Sequence, residues 1–212
     1  MPGVEEIATW RNELIRKALF GSVFAAAESV DLPTMTDLFN NSTGALQTLP
    51  TGFGDVGYIN PDGTTMPRET EVSDVNSWQS VEPTRSDETT DTSQLSFMMQ
   101  ETNPTAVELF EGLELGTLPE VGEAWEWDKP PNPLGLYRRL LVIGQDTYQG
   151  QPIYVVKLYP RAKLTGREDE TQNRENATER GVTMTAYRDS SINTSVRNWV
   201  DGPGWRLLAS GS

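Results

Sequence analysis

The chain has 212 residues, 31 of them acidic against 17 basic, for a formal charge of −14, and it contains neither cysteine nor histidine. That length allows one or two domains with a core of ordinary size. The missing residue types remove disulfides, thiol nucleophiles, Cys/His zinc sites and a histidine general base. The acidic balance opposes binding to phosphate backbones or anionic membranes, because both require clustered Lys and Arg.

Residues 4–17 read as a short amphipathic helix, with Val4, Ile7, Leu14 and Ile15 near one stripe. Alone in water such a helix is marginal, so it is expected to dock or to form on assembly. The mostly apolar run Ala18 to Ala27 is about half of what a bilayer span requires, which excludes a transmembrane helix there. It mimics a secretory signal, with Arg11, Arg16 and Lys17 before it, but Glu5, Glu6 and Glu13 spoil the basic start and Gly21 and Ser22 interrupt the run. A strand is the better reading. Leu19, Gly21, Val23 and Ala25 then take one face, and Phe20, Ser22, Phe24 and Ala26 the other.

A polar, Pro/Gly-marked stretch from Ser29 to Gly52 leads to a strand over Phe53 to Ile59, closed by Asn60-Pro61-Asp62-Gly63 as a type I turn. Residues 68–101 hold several short extended pieces, the clearest being Leu95 to Gln100 with Leu95, Phe97 and Met99 on one face. Asn103 and Pro104 form a good helix start and Gly112 ends that helix, with Ala106, Val107 and Phe110 on its buried side. Leu118 to Pro133 is a connection rich in Trp, Pro and acids. Leu136 to Ile143 and Pro152 to Tyr159 read as a hairpin around Gln149-Gly150, and Leu164 to Arg180 as a hydrophilic loop. Gly181 to Tyr187 alternates, with Val182, Met184 and Ala186 against Thr183, Thr185 and Tyr187; a last strand is expected near Ser195 to Val200. These elements predict one mainly β domain, a β-sandwich or barrel of two packed sheets with a flanking helix, over residues 18–212, preceded by an arm over 1–17. The 23 threonines suit that class.

Little in the chain is organised for chemistry. Glu123 and Glu126 flank Trp125, a pattern that a sugar-cleaving site could use, but sequence spacing does not place two carboxylates across a substrate. Glu168, Asp169 and Glu170 lack the spacing of a calcium loop. Gly52, Gly54 and Gly57 come near a Gly-rich spacing yet sit within an apparent strand, and no Gly-x-Ser-x-Gly elbow exists. No catalytic, cofactor-binding or metal-binding residue is assigned, and no cofactor is expected.

In order, ALFGSVFAAA, FGDVGYINPDG, ETEVSDVNSWQS with its isolated Trp78, LSFMMQETNPTAVELFEG, YVVKLYPRAKLTGRE and GVTMTAYRD resemble the major tail protein of bacteriophages with long, non-contractile tails. Those infecting actinobacteria are the nearest in pattern. The resemblance spans residues 18–200; the lead at 4–17 and the charged loop at 165–180 depart from it. It implies a fold of two packed sheets with a flanking helix, and hexameric rings stacked into a tail tube that forms around a tape-measure protein. The tube's ends would meet tail terminator and distal tail proteins. Viral DNA would pass through the lumen without specific binding, and assembly would take place in the host cytoplasm. Sequence leaves open another virion part of the same fold, and a carbohydrate-binding sandwich using Trp78, Trp125, Trp127, Trp199 and Trp205 as a platform. Six copies at −14 give about −84 per ring, and any share facing the lumen would repel phosphates. The arm at 1–17, the stretch 29–52 and the loop 165–180 are the expected ring-bridging segments.

Overall fold

Residues 4–17 do not make the continuous helix expected of them. The computed structural model describes residues 3–115, 122–129, 131–132 and 135–210. In it the arm holds one helical turn at Val4–Ile7 (α1) and a 3-10 turn at Asn12–Leu14, with extended backbone at Ala8 and Arg11. Neither turn has a side-chain cap, and Val4, Ile7, Trp10 and Ile15 stay exposed. With no tertiary surface to cover its apolar stripe, a segment this short does not overcome the cost of helix nucleation.

The Ala-rich strand forms as expected, as β1, Phe20–Ala27. The polar stretch that follows is a packed cover, which its composition did not suggest. Thr34 and Asp37 make a capping box for the short helix α2, Met35–Leu38, and Leu38 and Phe39 are fully buried. Next come β2 (Gly54–Asp55) and β3 (Ile59–Thr65). The Asn60–Gly63 turn lies inside β3 as a blister: Ile59 pairs with Met99 and Thr64 with Phe97, so three extra residues bulge out.

The pieces over 68–101 join into a long hairpin of β4 (Arg68–Val75) and β5 (Arg85–Met99). Helix α3, Pro104–Glu111, starts where expected. The Asn103 side chain accepts the Ala106 N–H at 2.9 Å, and Gly112 ends the helix in the left-handed conformation at φ 68°. Of the Leu118–Pro133 connection, residues 118–121, 130 and 133 lie outside the described residues, as do the flanking 116, 117 and 134.

β6 (Tyr137–Tyr148) and β7 (Gln151–Arg167) form the hairpin expected around Gln149-Gly150, whose φ values of 50° and 75° are those of a type I′ turn. β7 runs three residues past Leu164, so the hydrophilic loop begins only at 168. β8 (Arg180–Ala186) and β9 (Arg197–Asp201) complete nine strands among the described residues. A final helix, α4 (Pro203–Ser210), was not foreseen. The Asp201 carboxylate fixes it, accepting from Arg206 Nε at 2.9 Å and Nη2 at 2.6 Å.

All pairings are antiparallel, in the order β2-β1-β6-β7-β8-β5-β3, with β4 continuing beside β5 and β9 on β7. The long β7 serves two layers. Its first half pairs with β9, its last third with β8, and the register shifts against β6 between Arg138 and Leu140. The sheet therefore curls on itself, and its two halves enclose one core. Val23, Ala25, Leu140 and Val142 face Leu95, Phe97, Met99, Val182 and Met184, with Ala106 and Leu109 of α3 packed in. Burial pushes the Tyr159 hydroxyl in that core up to about 12. A second core lies on the back of β1, β6 and β7, where Leu38 and Phe39 meet Leu141, Ile143, Val156 and Leu158. Leu32, Leu46 and Leu49 of the polar stretch pack there as well. The fold is mainly β, two packed layers of one curled sheet flanked by helices.

Candidate assembly surface

The β4–β5 hairpin is an arm made almost wholly of surface. Every residue of β4 and the first seven of β5 are exposed. The register between residues 64–71 and 90–97 is unbroken, so β3 and β4 act as one strand interrupted only at Met66-Pro67. The inner end of β5 is core, with Leu95, Phe97 and Met99 buried, and its outer end is the arm. Eight steps from Ser93 to Arg85 at strand rise carry the arm about 27 Å beyond the sheet. A free two-stranded hairpin is marginal in water. This one is anchored because its root is a core strand.

The arm carries apolar and charged groups that pair with nothing outside the arm among the described residues. Trp78 and Val81 at the tip are 99% and 104% exposed, and Val72 and Val75 are also exposed. Residues 68–92 hold seven acids against Arg68 and Arg85, a net −5. Both arginines are spent inside the arm, Arg68 on Asp91 and Arg85 on Asp87. The Arg68 hydrogen bond holds the Asp91 carboxyl below its ordinary range. Beyond Ser93 the outer edge of β5 pairs with no strand, nor does the outer edge of β4, among the described residues. Open edges of this kind pair with another chain or must be guarded by charge.

Two further surfaces stand out. The N-terminal segment joins the body at its end, through Arg16 to Asp146 at 3.2 Å and the Leu19 N–H to the Gln145 carbonyl at 2.8 Å, leaving Trp10 70% exposed. Across the outer face of β6, β7 and β8, Arg161 stacks 3.7 Å over the Tyr137 ring, with Lys163 at 5.9 Å and Tyr187 edge-on at 5.6 Å. Glu28 meets Arg161 at 2.8 Å.

The residues weighed for chemistry do not converge. Glu123 and Glu126 are exposed on a segment where Trp125 and Trp127 contact each other, rings 4.9 Å apart. Glu170 is paired with Arg180, and among the described residues no cluster of three or more acids could hold a metal. Gly52 and Gly57 serve turns at φ 101° and 82°; a Cβ at Gly57 would strike the Glu101 carboxylate. The five tryptophans of the sugar-platform reading share no face, since Trp199 packs on the second core while Trp78 sits at the arm tip. The arm as a unit escaped the sequence reading, although Trp78 was visible within it. Among the described residues no helix is long and apolar enough to cross a membrane.

Comparison with known proteins adds the family. No curated protein matches the chain. A solved structure titled "Crystal structure of Hcp protein" aligns over 84% of this chain and 99% of its own, at 12% identity and a TM-score of 0.33. The family model described as "Phage tail tube protein" matches residues 8–202, nearly the whole chain. With a curled, mainly β fold and an exposed arm, the chain belongs to the phage tail tube protein family.

Proposed function

We propose that this protein is the major tube subunit of a long, non-contractile phage tail, and that six copies close a ring and rings stack into a conduit for DNA ejection. The family supports a structural virion protein that builds a tail tube. The observation that carries the finer reading is the arm over residues 68–92. It is rigidly rooted, exposed throughout, and tipped with an indole that its own chain leaves in water. A solvated Trp at the end of a strand about 27 Å long is an interface anchor awaiting a partner. Because the arm and whatever receives it are different surfaces of one subunit, the contact is heterologous, which generates rings and stacks from identical copies.

In this reading residues 18–212 form the tube body and residues 1–17 a second bridging arm. The stretch 29–52 is a weaker bridge, since its apolar residues are already packed on the second core. The tube would enclose a tape-measure protein and end at terminator and distal tail proteins, with assembly in the cytoplasm of an actinobacterial host. A lumen that passes DNA without retaining it agrees with a chain of charge −14. Electron microscopy of the purified protein tests the reading. Rings or tubes of uniform width are expected, and monodisperse single subunits at all concentrations would overturn it. Capping of preformed tubes, without growth of its own, would move the protein to a terminator or distal position.

A further inference from the structure

One face of the curled sheet carries opposite charge at its two sides. Thr92, Gln94 and Ser96 succeed one another on one side of β5. Across the arm, Glu69 pairs with Thr92 and Glu71 with Thr90; across the sheet, Gln94 pairs with Thr185, Thr185 with Lys163, and Lys163 with Tyr137. Cross-strand partners share a face, so Glu69 and Glu71 look out on the same side as Lys163 and Tyr137. Among the described residues the acidic side has no cationic partner, because Arg68 and Arg85 are bound to Asp91 and Asp87. On the cationic side Arg161 has Glu28, while Lys163 has no carboxylate partner among the described residues. Within one chain the two sides cannot meet. Both β5 and β8 lie between them, so β4 and β7 are held about 14 Å apart by strand spacing.

We propose that Glu69 and Glu71 of one copy pair with Lys163 and Arg161 of the adjacent copy in the ring. This inference rests on the ring reading above and names the contact that closes it. Copies related by rotation repeat the same face around the ring. Glu69, opposite Thr92, is two residues, about 7 Å, along β5 from the Gln94–Thr185–Lys163 row, and Glu71, opposite Thr90, is four residues, about 13 Å, from it. Long Glu, Lys and Arg side chains reach across offsets of this size. Two unlike patches on opposite sides of one face give a head-to-tail contact. They also disfavour a two-fold dimer through the arm, which would set acid on acid. Tyr137 keeps the Arg161 guanidinium extended across the face, so little ordering remains to be done on binding. A nucleic acid on the cationic side is the rival occupant, and the chain's overall charge opposes it.

Charge reversal tests the pairing. Glu69→Lys with Glu71→Lys, and separately Arg161→Glu with Lys163→Glu, should each raise the critical concentration for ring or tube formation about tenfold or more, with the larger share of the effect at low salt. Combining all four changes should bring it back toward the wild-type value. Arg161→Gln with Lys163→Gln gives a neutral control, and a single cooperative thermal transition of the unassembled subunit shows that each variant folds, a lowered midpoint being expected where Arg161 loses Glu28 and the Tyr137 ring. Wild-type assembly by both reversed variants, or no recovery in the fourfold variant, overturns the pairing and leaves the ring reading standing. Wild-type protein that never assembles overturns both. Retardation of duplex DNA by wild-type protein, lost in Arg161→Glu with Lys163→Glu while tubes form normally, assigns the patch to DNA and overturns the pairing.

Discussion

Replacing Trp78 by Ser separates assembly from folding. Trp78 is 99% exposed, so its removal costs the monomer no packing, and subunit stability should stay within about 0.5 kcal/mol of wild type. If the indole is buried in the tube, the loss is large. An aromatic side chain that covers some 150–250 Å² contributes about 4–6 kcal/mol at roughly 25 cal/mol per Å². Part of that is spent on ordering the tip, and measured anchors of this kind are worth about 2 kcal/mol or more. Two kcal/mol is about a 30-fold weaker contact. The assay is the critical concentration for tube formation, read by pelleting and confirmed in negative stain, beside thermal melting of the unassembled subunit. Val81→Ser, at the same tip, should act in the same direction with a smaller effect. Tubes from Trp78→Ser at the wild-type critical concentration would refute the argument that the arm tip is an anchor. A lowered subunit melting temperature would refute the claim that its own chain leaves Trp78 unused.

Leu38→Ala probes the opposite case, a residue in the polar stretch that is fully buried; it should destabilise the subunit by about 2–5 kcal/mol in denaturant melts. Removing residues 1–17 should leave a folded subunit but fewer or shorter tubes, and unchanged tube formation would rule out that arm as a bridge. Asp201→Asn should lower stability by about 1–3 kcal/mol at neutral pH, because the Arg206 hydrogen bond holds the Asp201 carboxyl below its ordinary range. A depressed carboxylate pKa stabilises the folded state above the unfolded value, near 3.9, and that contribution disappears as pH falls through the folded value. Wild-type and Asp201→Asn melting curves should therefore converge in acid, and a difference that persists there would assign the effect to shape rather than charge.

Segments were legible in the sequence where local chemistry decided the structure. Asn103, Pro104 and Gly112 specify both ends of α3 without help from the rest of the chain, and the strict alternation of β8 marks Val182, Met184 and Ala186 as its core face, although Thr185 on the other face is buried as well. Gln149-Gly150 announces its own turn. What was not legible depends on partners distant in sequence or absent. The β4–β5 arm has no buried face, so it has no apolar period to detect, and its two strands read as unrelated fragments. Helix α4 depends on Asp201 meeting Arg206 and on Gly202 lying against the Pro152 carbonyl. The stretch 29–52 looks polar because Leu32, Leu38, Phe39, Leu46 and Leu49 are spaced for neither helix nor strand, and only the back of β6 and β7 makes them a layer. Residues 4–17 fail in the reverse sense: the helical pattern is present, but among the described residues no surface covers its apolar stripe. The assembly surface was thus visible only as an isolated Trp78 and an acidic balance.

The unbroken register through residues 64–71 has a mechanical consequence. An arm attached by a loop would swing, and a pull on its tip would be lost in the hinge. Here the pull is carried along β5 from Arg85 to Met99, through hydrogen bonds loaded side by side in shear, and into side chains locked in the core. If the arm tip anchors on a subunit of the next ring, as proposed above, β5 becomes a tie rod: bending one ring would be felt in the packed interior of the next, and tube stiffness would be set by a core strand rather than by the surface contacts alone.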